Sequence, residues 1–355
     1  MRILHGLAAV GLLVPAVLIA AGRAEAGPVN YCVGGPINVG FTYTGAMQSC
    51  TIPYAGTYRL IAYGADGGDG SIEGPPTDIY PGGKGAVIAG RFLLEAGDVL
   101  TILVGGRGQS VPPQPGTAIP FAGGGGGGSF IVLQRGGGGP VPLLIAGGGS
   151  GGPSEFGGQD GRAVEDSPGV PSGAGKQDGA GAGGTAGTGG GGATAAGGGA
   201  GGGGFSGDGG NGPTSTGGLS FLNGGAGGTP GGPGGCIGAA GGFGGGGAGA
   251  CSFIDGAGSG GGGGYSGGGG GGQGNFLSSD GGAGGGGSSW YNPQFALDFF
   301  ATAGGNIFGD GQIQIQWLTD ENGNPVGVPE PGSLVLLATG VLLLAQRRRH
   351  PRKAG

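Results

Sequence analysis

Few residues of this 355-residue chain could do chemistry: it has two histidines, four cysteines, 14 basic and 20 acidic residues. His5 and His350 lie near the two ends, in segments that the sequence marks for removal. A chain without them has no imidazole for Ser-His-Asp or Cys-His catalysis, and none to hold a metal. "GAGKQD", around Lys176, has the glycines and lysine of a phosphate-cradling loop. It lacks the Ser or Thr that must follow the lysine. G-x-G-x-x-G spacings recur by chance in so much glycine and say nothing about dinucleotides. Asp66 and Asp69, in "GADGGDG", have a spacing compatible with calcium. No nonapeptide repeat follows them, and turn-forming aspartates are the simpler reading. No spacing picks out a carboxylate pair for glycoside hydrolysis. The expectation is a protein that is not an enzyme, with no cofactor and no metal.

The cysteines remain. Cys236 and Cys251 enclose "IGAAGGFGGGGAGA", in which eight of 14 residues are glycine and none is charged. Four cysteines allow three pairings. Proximity favours Cys32–Cys50 and Cys236–Cys251. The second bridge would close a short loop and contribute about 3 kcal/mol.

Glycine supplies 111 of the 355 residues, against an ordinary share of about 7%. No strict three-residue period runs through it, so collagen is excluded. Large apolar side chains are scarce between Ala146 and Ser288. That stretch cannot bury the apolar area of an ordinary domain. Residues 27–328 hold seven basic against 18 acidic residues, a net charge near −11. Nucleic acid is excluded as a partner, because phosphate neutralisation needs clustered Lys and Arg.

The elements that must position these residues read as short strands. "GTYRLIAYGADGG" alternates, with Tyr58, Leu60 and Ala62 on one face and Arg59 and Ile61 on the other. "INVGFTYTG" alternates around Ile37, Val39, Phe41 and Tyr43. "GAVIAGRFLLEAGDVLTILVGGRG" reads as two strands with a turn at Glu95-Ala96-Gly97-Asp98. "GGSFIVLQ" and "PLLIAGGG" add two more. "GDGQIQIQWL" closes the series with Ile313, Ile315 and Trp317 on one face. "NPQFALDFFATAGG" fits a short helix or a strand. Strands at this spacing, punctuated by Gly and Pro, predict an all-β antiparallel sandwich or jelly roll. The last strand lies far downstream of Ile145. The simplest account returns it to the same sheets and makes the glycine block an insertion anchored at both feet.

The two ends address the chain. "MRILHGLAAVGLLVPAVLIAAGRAEAG" has an early positive charge, an apolar run, and small residues at Ala24 and Ala26 before Gly27. This is the pattern of a secretory signal peptide over 1–26, and it predicts an oxidising compartment for the cysteines. At the other end Pro329-Glu330-Pro331 precedes an apolar run, 332–345, and then Arg347, Arg348 and Arg349. The run is short for a relaxed span of about 20 residues, and the arginines would stay cytoplasmic. This segment closely resembles the PEP-CTERM sorting signal of Gram-negative bacteria. The resemblance implies recognition by an exosortase, which cleaves near the Pro-Glu-Pro triplet. It also implies a chain held at the inner membrane before processing, then a surface or matrix protein of bacteria that make exopolysaccharide.

The body resembles the glycine-rich domain of the anaplastic lymphoma kinase receptor family. The matching landmarks are "GTYRLIAYGADGGDG", "GGKGAVIAGRFLLEAGDVLTILVGGRG", "GGGGGGSFIV", "PLLIAGGGSGG", "GGFGGGGAGA" with "GGGGGYSGGGGG", and "GDGQIQIQWL". The resemblance implies a TNF-like antiparallel jelly-roll sandwich from which a bundle of left-handed polyglycine II helices emerges. Such helices have no internal hydrogen bonds. Packed side by side they can bond to one another, since missing side chains let backbones approach. Phe205, Phe221, Phe243, Phe253 and Tyr265 favour that order over a flexible spacer.

The expected organisation is a signal peptide (1–26), the first part of the sandwich (27–145), the glycine-rich insertion (146–288), the closing part (289–318), a linker (319–328) and the sorting tail (329–353). The expected function is a structural or adhesive surface protein, associated with extracellular polysaccharide or biofilm. A receptor-like module for a protein partner is the alternative.

Overall fold

The computed structural model describes residues 32, 38–72, 78–112, 119–135, 138–163, 178–231, 236–253, 255–274 and 281–326. Twelve strands run through them: β1 (Asn38–Thr42), β2 (Gln48–Thr51), β3 (Gly56–Tyr63), β4 (Gly70–Ile72), β5 (Asp78–Tyr80), β6 (Val87–Leu94), β7 (Val99–Leu103), β8 (Ser129–Gln134), β9 (Val141–Ala146), β10 (Trp290–Tyr291), β11 (Ala296–Thr302) and β12 (Gln312–Asp320). They form two five-stranded sheets, in the orders β1-β12-β3-β6-β11 and β10-β9-β8-β7-β2, plus the small pair β4-β5. Every pairing is antiparallel. The architecture is all-β and is not a barrel. Its sole described helical turn is a 3-10 turn at Phe221–Asn223.

Alternation decides which side chains enter the core. Tyr58, Leu60 and Ala62 of β3, Ile88 and Phe92 of β6, and Ile313 and Ile315 of β12 face inward. They meet Leu100, Ile102, Ile131, Leu133 and Leu144 of the other sheet. The bulge between Ile131 and Val132 lets both Leu143 and Leu144 reach this core. The segment "NPQFALDFFATAGG" resolves as a strand: β11 pairs along β6, opposite Gly90 and Arg91. The strands either side of the 95–98 turn join different sheets, β6 beside β3 and β7 between β2 and β8. The turn is therefore a corner, held by Asp98, whose carboxylate accepts the Glu95 N–H at 2.9 Å and bonds Arg135 Nε at 2.9 Å.

At one end of the sandwich the strands run on into glycine. The bundle therefore draws on segments outside 146–288, including 64–68, 105–109 and 122–128. Its hydrogen bonds have a three-residue period. The N–H groups of Gly123 and Gly126 donate to Gly152 and Gly149. Those of Gly124 and Gly127 donate to Gln109 and Gly106, and those of Gly125 and Gly128 to Gly247 and Gly244. The segment 258–264 repeats the scheme. Gly258, Gly261 and Gly264 donate to Gly197, Ala200 and Gly203; Ser259 and Gly262 to Gly282 and Gly285; Gly260 and Gly263 to Gly123 and Gly126. Each segment bonds to three neighbours in rotation, as a helix of three residues per turn must.

Candidate functional site

The bundle is fixed to the sandwich in three ways. Aromatic side chains are the first. Phe205, Phe221, Phe243 and Tyr265 sit on turns between glycine segments and cover the outer face of β7-β8-β9. Phe221 lies between Phe130 of β8 (centroids 5.3 Å apart) and Phe205 (5.4 Å), and Tyr265 stacks on Trp290 of β10 at 4.5 Å. Phe253 does not join them and stays exposed. The turns "GFSG" (204–207) and "GYSG" (264–267) are a repeated signal that could have marked these anchors in the sequence.

Disulfides are the second. Cys32 bonds Cys50, and Cys236 bonds Cys251. The first bridge packs in the main core. The second forms a small separate core with Phe121, flanked by Val111 and Ile119. This answers how "IGAAGGFGGGGAGA" is held: its ends are tied to each other and to an apolar patch, and its interior bonds to neighbouring backbones.

Carboxylates and hydroxyls are the third. Asp66 is buried and accepts from Lys84 Nζ at 2.8 Å, Gly85 N at 2.9 Å and Asn306 Nδ2 at 3.2 Å. Asp69 accepts from Arg107 Nη2 at 3.0 Å and Gly82 N at 3.1 Å. Both act as junction staples, with their lone pairs on cations and backbone amides. Asp160 and Asp310, which sequence reading did not single out, do the same for Lys84 N and Arg107 N. Buried serines add more: Ser154 Oγ accepts from Ala257 N and Gly281 N, Ser259 Oγ from Gly284 N, and Ser129 Oγ from Gly105 N while donating to Tyr63 O. Burial acts against the charge on Asp208, yet hydrogen bonds from Ser220 N and Asn223 hold it below its ordinary range. Burial pushes the Tyr58 hydroxyl up to about 12, where it donates to Tyr54 O at 2.7 Å.

No group of three or more His, Cys, Asp or Glu that could hold a metal occurs among the described residues. Ala24, Ala26, Gly27, Lys176, Pro329, Glu330, Pro331, Arg347, Arg348, Arg349 and both histidines lie outside the described residues. Among those described, no helix is long and apolar enough to cross a membrane.

Residues 327–349 match the PEP-CTERM protein-sorting motif. That motif indicates exosortase-dependent sorting to the cell surface or extracellular space. It implies processing by an exosortase and an exported chain, anchored in the membrane through its tail and then displayed. No curated protein matches the sequence.

Proposed function

We propose that this protein is a non-enzymatic structural or adhesive component of the cell surface or extracellular matrix, working beside exopolysaccharide. The observation that carries the reading is the sorting motif at 327–349. The body supports it: two disulfides suit an oxidising compartment, and the described carboxylates at the sandwich–bundle junction are engaged in staples rather than open to a substrate. A signal peptide over residues 1–26, cleaved after Ala26, completes the route. We also retain a TNF-like jelly roll of the anaplastic lymphoma kinase receptor type as the finer description of the fold. The pairing of first, last and third strands in one sheet, β1-β12-β3, supports it, as do glycine helices emerging from one end.

The test uses the host. Changing Pro329-Glu330-Pro331 to three alanines should leave the chain in the membrane fraction and remove it from the surface. Deleting the gene should weaken cell cohesion or matrix retention. Unchanged cohesion, together with hydrolysis of a polysaccharide by the purified chain, would overturn the reading. Capture of one defined protein partner, with cohesion unchanged, would replace it by a receptor-like module.

A further inference from the structure

We propose that a groove on the outer face of β3-β6-β11 binds a carboxylated polysaccharide, a polyuronate in chemical class. The proposal deepens the surface reading above and rests on it. The groove is open, holds about 360 Å³, and is lined by Arg59, Gly90, Arg91, Asp298, Phe300 and Leu318. Gly90 contributes bare backbone to its lining, while a Cβ there would point to the core side, 2.9 Å from the Phe92 ring.

The charges of the groove do not balance. Arg59 and Arg91 stand opposite each other in the β3–β6 register. Like charges directly opposed across strands destabilise a sheet. Arg91 is compensated: its Nε donates to Asp298 Oδ2 at 2.7 Å, and its N–H to Oδ1 at 3.1 Å. The Arg59 guanidinium donates no hydrogen bond among the described residues, and only its charge reaches Asp298, which it helps hold below the ordinary carboxylate range. Arg59, Arg91 and Asp298 are the charged residues of β3, β6 and β11. Two guanidinium groups therefore share one carboxylate, and one positive charge is left over. A second carboxylate, brought by a ligand, would complete the network, and a guanidinium receives a carboxylate through two parallel hydrogen bonds.

The rest of the groove suits a sugar. Phe300, 62% exposed, and Leu318 put apolar surface into the same groove as the guanidinium groups. A pyranose ring has apolar C–H faces that pack on such surface while its carboxylate reaches sideways. The body as a whole is near −11, which would repel a polyanion at long range. At physiological ionic strength that field decays over about 8 Å, so the local charge at the groove governs contact.

Affinity electrophoresis of the full chain, purified in detergent, through gels containing polygalacturonate or neutral dextran tests this. The expected result is retardation by polygalacturonate and not by dextran. Arg59→Gln should weaken retardation about tenfold with unchanged circular dichroism. About 0.5 M NaCl should weaken the wild type similarly. Phe300→Ser should weaken binding while leaving its salt dependence intact. Should either variant misfold, competition by free galacturonate on the wild type gives the same answer. Equal binding of dextran, or full binding by Arg59→Gln, overturns the proposal. Cohesion of the host cells reads the surface function separately: if it depends on the protein while polygalacturonate is ignored, the groove is wrong and the surface role stands.

Discussion

The sandwich and the glycine bundle meet along β8, and the two faces of that strand belong to different kinds of interior. Ile131 and Leu133 point into a core filled by branched and aromatic side chains from both sheets. Phe130 and Val132 point the other way, toward Phe205, Phe221 and Phe243. Beyond that single aromatic layer, apart from the small core of Phe121, Cys236 and Cys251, buried side chains are small and backbone packs on backbone. The first interior is stabilised by removing apolar area from water. The second removes little apolar area. It satisfies its N–H and C=O groups by the three-way bonding described above, aided by weak Cα–H···O contacts. Ordering glycine backbone opposes it at about 1–2 kcal/mol per residue, and a net hydrogen bond returns about 0.5–1.5 kcal/mol. Those magnitudes nearly cancel, so the anchors decide whether the bundle is ordered.

The largest expected effect follows from that dependence. Phe130→Ala should destabilise by about 3–5 kcal/mol, because it removes the ring on which Phe221 rests. Calorimetry gives the sharper reading. If the bundle leans on the sandwich, wild-type protein melts in one transition and the variant separates into two, bundle first. A variant that still melts in one transition, only earlier, would show that the two regions are a single cooperative unit and that the bundle does not depend separately on its aromatic anchors.

Removing the bridge within the bundle comes next. Cys236→Ser with Cys251→Ser should cost about 3 kcal/mol, felt locally. Hydrogen exchange should quicken at Gly238, Gly241 and Gly249, whose amides bond within or beside that loop, while β3 and β12 keep their protection. Uniform loss of protection in both regions would mean that the bridge serves the whole molecule.

The two interiors were also unequally legible in the sequence. In the sandwich, alternation exposed the inward faces of β3 and β12, since each position is either apolar or not. Two things stayed hidden. The residues "FALDFF" satisfy both helical and strand periods, so β11 was ambiguous, and with it Asp298, whose bond to Arg91 spans 207 residues. The placing of β6 and β7 in different sheets was hidden too, because a four-residue turn reads the same in a hairpin and at a corner. In the bundle almost nothing was legible, for a physical reason: register is written in side chains, and glycine has none. Which of 111 glycines meet could not be read. The marks that survive are the exceptions, the aromatic turns, the buried serines and the cysteine pair, and of these only the cysteines and aromatics were singled out.

The smallest expected effect tests the central claim most directly, by moving one methyl group in opposite senses at nearby sites. No glycine in 123–128 or 258–264 has a positive φ, so alanine fits the backbone conformation there. Glycine is needed for space instead. A Cβ on Gly260 would overlap the Gly247 carbonyl oxygen and approach Gly125 N at 2.8 Å. One residue along the neighbouring segment from Gly247, Ala248 already carries a methyl and is fully buried. Gly260→Ala should therefore destabilise by about 1–3 kcal/mol through overpacking, even though alanine restricts the unfolded chain and so works in its favour by about 0.4–1 kcal/mol. Ala248→Gly should cost about 1 kcal/mol, from a lost methyl and a more flexible unfolded chain. Denaturant midpoints of the two variants measure the difference. In an ordinary helix or strand the ranking would be reversed, since gaining alanine helps and losing it harms. If Gly260→Ala proves as stable as wild type, the backbones are not in contact, and the bundle's order must come from its anchors alone.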